Sequence, residues 1–542
     1  MTARLDRVLQ ALLGLAIVAG LVGAFVQLDR SSLWYDELFT AWVTTADANP
    51  VEVWHRIATD LHPPVYYFTT YVWSLLFGTG DAGLRGFSAV CATGAVGVLF
   101  FGLKPVVSLP ERLVACALAT GSREWFYMAQ NARSYALCLL LGAVLLVLAV
   151  RLLRDRGDRK APLIGLMITA ALGAFSHFFM TFEAVGLCLL LALYVPRRRI
   201  ALLVFAGALV CANELYLKLV IDRMARFSVT NTWMSNDPGA YADNLLDALK
   251  FLGLKEVAIL AVLIGLGAGV WRLVRGKLRN PWPVPRAADP FIVVCWTVPL
   301  LVFAFSVASS LLIRPNFTGQ NVLVCAPFVW AGCGRLYDGW IAGAGPRAAV
   351  AIKLGVTLFL LALAPVVLGR FVERNEPWKE SAVGIRGFAA CQGQTIPVVS
   401  EDGPYLRDPQ FPDLYQGFLY GRYLEGFAPT QIFEHTDIAA GRLPPAMRAL
   451  LVDRLRGQGC PILAWDAHTG DNGYDDTLTQ QIVATVGPPA PGYRIAKLDY
   501  PFYDKVLMGK TTGNPGFILY VHQDTSMFSK TRADHNKSPH GP

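Results

Sequence analysis

The chain has 542 residues, 54% of them hydrophobic and 16% charged, with a mean hydropathy of +0.41. That is too apolar and too poor in charge for a soluble protein of this length, and repeated apolar runs of about 20 residues indicate a polytopic helical membrane protein. The net charge of +8 does not point to nucleic acid, because the Lys and Arg lie in short loops between the apolar runs.

In chain order, runs of spanning character are 8–28, 84–103, 112–127, 132–153, 162–177, 178–195, 200–220, 254–274, 290–312, 320–341 and 348–369. The first has no small-residue cleavage site close behind it and reads as a retained anchor. The run 64–78 is short, rich in aromatics and preceded by two prolines. If it does not span, the basic loops all fall on one face: Arg4 and Arg7; Lys104 and Arg112; Arg151 to Lys160; Arg197 to Arg199; Arg272 to Arg286; Arg347 and Lys353. That face is cytoplasmic by the positive-inside rule. The run is therefore read as a juxtamembrane helix in a long first outer loop (29–82), which leaves about 11 transmembrane helices and an outward C-terminus. The outer face collects a different set: Asp36, Glu37, Asp60, His62, Arg123, Glu124, Arg133, His177, Asp222, Arg223, Arg226 and Arg314. Chemistry is expected there.

After 370 the hydrophobicity falls and Gly, Pro, Asp and Tyr rise. β-like runs at 395–400, 460–465, 492–496 and 516–521 alternate with helical patterns such as 445–456. The expected organisation is an all-α polytopic membrane domain over 1–370, a soluble extracytoplasmic α/β domain over 371–525 and a disordered tail over 526–542. Eight of the ten cysteines lie in apolar runs, where Cys behaves as a small hydrophobe. Cys391 and Cys460 alone fall in the C-terminal region, as one disulfide in an oxidising compartment or as two buried thiols.

Five constellations carry candidate chemistry. Asp36-Glu37 sits among aromatics in Leu33-Trp34-Tyr35-Asp36-Glu37-Leu38-Phe39-Thr40. On a helix these carboxylates point about 100° apart, so one can face a cavity while the other caps or pairs. The pair is either a base for an acceptor hydroxyl or a solvated juxtamembrane feature. In His62-Pro63-Pro64 the prolines fix φ and aim the His, or simply open a helix. Arg133, with Tyr135 beside it, is a fixed cation for a phosphate or a snorkelling span end. His177 lies at a turn between two apolar runs, to contact a headgroup or bond a backbone carbonyl. Arg314 is a candidate lipid-phosphate ligand. No phosphate-cradling glycine loop, zinc spacing or nucleophile elbow is present, and Asp466-Ala467-His468 is too short to indicate a metal.

Taken together, W-Y-D-E-L-F-T-A-W, H-P-P-V-Y-Y, the Gly78-to-Arg85 run, A-Q-N-A-R-S-Y, the Ser-His-Phe turn and Glu376-Pro377-Trp378-Lys379 resemble the GT-C superfamily of integral-membrane glycosyltransferases. The similarity is to the protein O-mannosyltransferase and aminoarabinose-transferase-like branch and covers roughly 10–390. It implies transfer of a sugar from a polyprenyl-phosphate donor to an extracytoplasmic lipid, glycan or protein hydroxyl, by inverting displacement, at the outer face of the inner (plasma) membrane. Asp36 would be the base. Glu37 and His62 would position substrates, with Arg133 and Arg314 meeting the leaving phosphate and Tyr135 and His177 lining its site. The Arg-Ser-Tyr motif lacks a central proline, and Arg314-Pro-Asn stands where Arg-Tyr is expected. No acidic cluster calls for a divalent metal, so none is expected as a cofactor. A transporter or flippase would place ionisable residues mid-span in repeated halves. A non-catalytic polysaccharide-assembly protein is the third class considered.

Overall fold

The computed structural model describes residues 2–45, 47–58, 60, 62–225, 238–252, 254, 289–312, 317–368, 376–400, 414–467, 474–500, 503–504, 510–511 and 516–523. The expected span 254–274 lies almost wholly outside these residues, as do Arg314 and the expected tail 526–542. The chain divides into two compact units: 1–29 with 43–372, and 30–42 with 373–542.

The first unit is helical. Six of its described helices are long and apolar enough to cross a membrane: Ala3–Gly23, Asp81–Gly102, Tyr135–Arg154, Pro196–Val220, Pro290–Leu312 and Pro346–Leu363. This is an integral membrane protein. Among the described residues the remaining expected runs are shorter or broken. The run 112–127 breaks at Ser122 into helices Leu109–Gly121 and Arg123–Ala129, because the Ser122 hydroxyl accepts from Trp125 N and starts a new helix. The start of 320–341 is a 3-10 helix, Gly319–Cys325, before helix Ala326–Gly343. Helices Lys160–Ala174 and Phe178–Tyr194 have 15 and 17 residues. The run 64–78 forms helix Pro64–Phe77, whose 14 residues reach only about 21 Å against a hydrocarbon core of about 30 Å.

Buried polar side chains fix the helix ends. Arg85, 2% exposed, donates to the Leu28 carbonyl at 2.8 Å, and Gln130 Nε2 donates to the Val26 carbonyl at 2.9 Å. Both satisfy carbonyls just beyond the first helix (Thr2–Gly23), which would otherwise be orphaned. Arg335 pairs with Glu111 at 3.0 Å and Asp289 at 2.9 Å, and Lys353 with Asp6 at 2.9 Å. Of the eight free cysteines, all but the exposed Cys211 are buried.

The second unit holds a five-stranded sheet in the order β2-β1-β3-β7-β4: β1 Ile396–Ser400, β2 Thr430–Glu434, β3 Ile462–Asp466, β4 Tyr493–Tyr500 and β7 Gly516–Gln523. A small ribbon pairs β5 (Tyr503–Asp504) with β6 (Lys510–Thr511). β1 runs parallel to β2 and β3, whereas β7 is antiparallel to β3 and β4. β3 is buried along its whole length, which suits a central strand covered on both faces. Helices Pro445–Leu455 and Tyr474–Val486 supply Met447, Leu451, Leu478 and Ile482 to its core. Cys391 and Cys460 are joined in a disulfide, which resolves the alternatives left open by their spacing.

Close helix packing has a specific requirement at Gly334. A Cβ there would lie 2.4 Å from the Glu111 carbonyl oxygen, a backbone atom that cannot swing away. Alanine would gain about 1 kcal/mol in helix propensity, but overpacking costs about 1–3 kcal/mol. Gly334→Ala is therefore expected to lower the melting temperature of the detergent-solubilised protein, measured by tryptophan fluorescence.

Candidate active site

A group of polar residues in the helical unit is built where three chain turns meet. The first leaves helix Pro50–Ile57, which Asn49 caps by accepting from Val51 N and Glu52 N at 3.0 and 3.1 Å. It then passes Asp60 and His62 to Pro63-Pro64. Pro64 has no N–H, so the first donor of the next helix is Val65 N, which bonds the Phe175 carbonyl at 2.8 Å. That bond docks the His62 segment onto the second turn, 175–177. The third turn, 130–134, is held by Gln130 and by Ser88, whose hydroxyl donates to the Asn131 carbonyl.

These turns bring together Asp60, His62, Tyr67 and Arg133 in a closed ring of contacts. His62 Nδ1 lies 2.9 Å from Asp60 Oδ2, and the Tyr67 hydroxyl donates to the same oxygen at 2.6 Å. Arg133 Nη1 donates to the Tyr67 oxygen at 3.1 Å, and Nη2 is 3.2 Å from both ring nitrogens of His62. Only one of those nitrogens can accept from Arg133. With the Nδ1 proton directed at Asp60, Nε2 is the acceptor, and the carboxylate thereby sets the tautomer. Arg133 is 5% exposed and its guanidinium is held on two sides. It does not snorkel.

Burial pushes the Asp60 carboxyl up, but His62, Arg133 and the Tyr67 hydroxyl outweigh it, so its pKa falls below the ordinary value. The Tyr67 hydroxyl is driven well up, chiefly by burial. His177 is buried, and its Nδ1 accepts from Phe179 N at 3.3 Å as the N-cap of helix Phe178–Tyr194. Its ring lies 5.8 Å from that of His62 and 5.3 Å from that of Tyr135. The Tyr135 hydroxyl donates to Asn321 Oδ1 at 3.4 Å, and Tyr216 donates to the His62 carbonyl at 3.3 Å.

His62, Arg133, Tyr135 and His177, dispersed over 115 positions, therefore form one cluster. Sequence reasoning placed Asp60 on the outer loop without a role, and did not single out Tyr216 or Asn321. The D-x-H-P-P spacing carried a signal for Asp60, whereas a lone Tyr in the helix Arg199–Ala225 carried none. Asp36 and Glu37 belong to the second unit, in the first turn of helix Tyr35–Val43. Glu37 is fully buried and accepts from Trp34 N at 3.3 Å, reaching back as the third-residue carboxylate of a capping box does. Asp36 is half-buried. Arg314 lies outside the described residues. Among the described residues no group of three His, Cys, Asp or Glu side chains could hold a metal ion.

The architecture is a helical unit followed by a small mixed sheet. Two solved structures of ArnT from Cupriavidus metallidurans share it over 93% of this chain and 97% of theirs. The apo form has a TM-score of 0.50 at 12% identity, and the form bound to undecaprenyl phosphate 0.50 at 13%. The arabinofuranosyltransferase AftD from Mycobacteria is a more distant match, with a TM-score of 0.43 at 13% identity over 95% of this chain and 40% of its own. No protein-family model matches the chain, and no curated protein matches it in sequence.

The depressed Asp60 pKa fixes a pH dependence. Ionised Asp60 stabilises the fold fully above its unfolded value of about 3.9, and that contribution is lost as pH falls through the lower folded value. Asp60→Asn should remove this acid-side decline. At neutral pH it should cost about 1–3 kcal/mol, read from thermal unfolding across pH 3–7.

Proposed function

We propose that the chain is a membrane glycosyltransferase that moves a sugar from a polyprenyl-phosphate donor to an extracytoplasmic hydroxyl. The observation that carries this reading is the buried Arg133, held as a preset cation by Asp60, Tyr67 and His62 in a fold shared with an ArnT structure bound to undecaprenyl phosphate. A buried arginine with a fixed fork suits a phosphate and stabilises charge that develops on a leaving group.

In the proposed reaction Asp36 takes the proton of the acceptor hydroxyl while that oxygen bonds to the anomeric carbon. The bond from that carbon to the phosphate oxygen breaks on the opposite face, its electron pair leaves with the polyprenyl phosphate, and the configuration inverts. Arg133, and Arg314 from its place in the sequence, would meet the departing charge, with His62, Tyr135 and His177 lining the phosphate site. Glu37 would act by capping the Asp36 helix. The proposal needs no metal. The acceptor class is a lipid, glycan or protein hydroxyl.

In this reading the basic loops lie inside by the positive-inside rule, and the His62 loop and the C-terminal domain face the periplasm across the inner membrane. The Cys391–Cys460 disulfide supports that side, because such bonds persist in oxidising compartments.

Asp36→Asn should abolish transfer, with a loss of about 10²–10⁴-fold, while the purified protein still binds undecaprenyl phosphate. Full transfer by this variant would remove the base, and solute flux through proteoliposomes would favour the transporter reading. Chelation by EDTA should leave the rate unchanged. Cysteines introduced at Thr70 and Pro110 report the topology: an inaccessible 70 with an outward 110 would reverse it.

A further inference from the structure

The segment that carries Asp36 is separated from the C-terminal domain by more than 300 residues, yet it belongs to the same compact unit. The contacts responsible converge on Glu376. Its Oε2 accepts from Tyr35 N, the first N–H of helix Tyr35–Val43, at 2.6 Å, and from Trp378 Nε1 at 2.7 Å. Its own carbonyl accepts from the Ser32 hydroxyl, and the Tyr423 hydroxyl accepts from Leu33 N at 2.9 Å. A carboxylate at the N-terminus of a helix both satisfies an orphan donor and meets the positive end of the helix dipole.

Glu376 is 3% exposed and Trp378 1%. Burying a carboxylate costs several kcal/mol unless donors replace water, and here two N–H groups from different parts of the chain do so. The clamp has a firm base. The Trp378 ring packs edge-on against Tyr420 at 4.8 Å, Tyr420 against Trp465 of β3 at 5.0 Å, and Trp465 Nε1 donates to the Ser381 hydroxyl at 3.0 Å. The chain of contacts thus runs from the central strand of the sheet to the first turn of the Asp36 helix.

We propose that the C-terminal α/β domain is a positioning module for Asp36, and that Glu376 is the positioning residue that sets where the Asp36 helix begins. The proposal rests on the reading of Asp36 as base for its consequence on rate, but not for the clamp itself. Glu376 touches no substrate in this scheme. It acts by holding the Tyr35 amide, one residue from Asp36, so that the carboxylate cannot drift with the loop.

The test uses the full-length protein in nanodiscs. Hydrogen exchange over 30–42 should rise in Glu376→Ala, while the helix Tyr135–Arg154 keeps its protection. Transfer from a panel of radiolabelled undecaprenyl-phosphate pentoses and hexoses should lose about ten- to a hundredfold in kcat, with KM for the donor little changed. Glu376→Gln keeps an acceptor oxygen and should recover part of both. Trp378→Phe, which removes only the second donor, gives a milder change should Glu376→Ala fail to fold. Wild-type protection of 30–42 in Glu376→Ala, or raised exchange with unimpaired transfer, overturns the proposal. Full transfer by Asp36→Asn would instead overturn the base assignment, leaving the exchange measurement to decide the clamp.

Discussion

The charge balance around Arg133 is the constraint on which the rest of the helical unit's polar site depends. A lone guanidinium in a low-dielectric bundle is costly to bury, and a lone carboxylate equally so. Asp60 answers Arg133 through His62 on one side and Tyr67 on the other, so neither charge stands alone. The same bonds set three orientations at once: the His62 tautomer, the plane of the guanidinium, and the approach of helix Pro64–Phe77 to the turn at His177. A network of this kind rigidifies because each member loses its partner if any other moves.

The two carboxylate roles foreseen in the first outer loop separate by environment. Glu37 turns inward and reaches back to the Trp34 amide, a local task that any well-formed helix start of this pattern performs. Asp36, about 100° further round, is left half-buried at the same turn. Neighbouring residues of identical chemistry thus serve different ends. One shapes the helix, and the other is the group proposed to take a proton.

Much of the architecture was legible in the sequence because hydrophobicity is a local signal. Four β-like runs and the helix near 445–456 all fall on observed elements, whereas the short strand Thr430–Glu434 went unread, its pattern of one buried position in five offering little period to detect. The long apolar runs became helices, but continuous hydrophobicity hid their breaks. Ser122 starts a new helix inside one run, and a 3-10 segment opens another. Within the polar cluster, His62, Arg133, Tyr135 and His177 were singled out because motifs flank them. Tyr216 and Asn321 were not, because a hydroxyl or amide within an apolar stretch has no meaning until its partner is known.

The sequence by itself determined that this is a membrane protein with a C-terminal α/β region, since partitioning depends on residue composition along short windows. Only the tertiary structure decided which polar residues meet. Asp60 became the partner of Arg133, Cys391 that of Cys460, and Glu376 that of the Tyr35 amide, across separations from 69 to 341 residues for the last two pairs. Such pairings are set by how helices and strands pack, and no local pattern encodes them. The Asp36-Glu37 dipeptide shows both sides: its chemistry is written in the chain, while the carboxylate that bonds the start of its helix lies 341 residues from Tyr35.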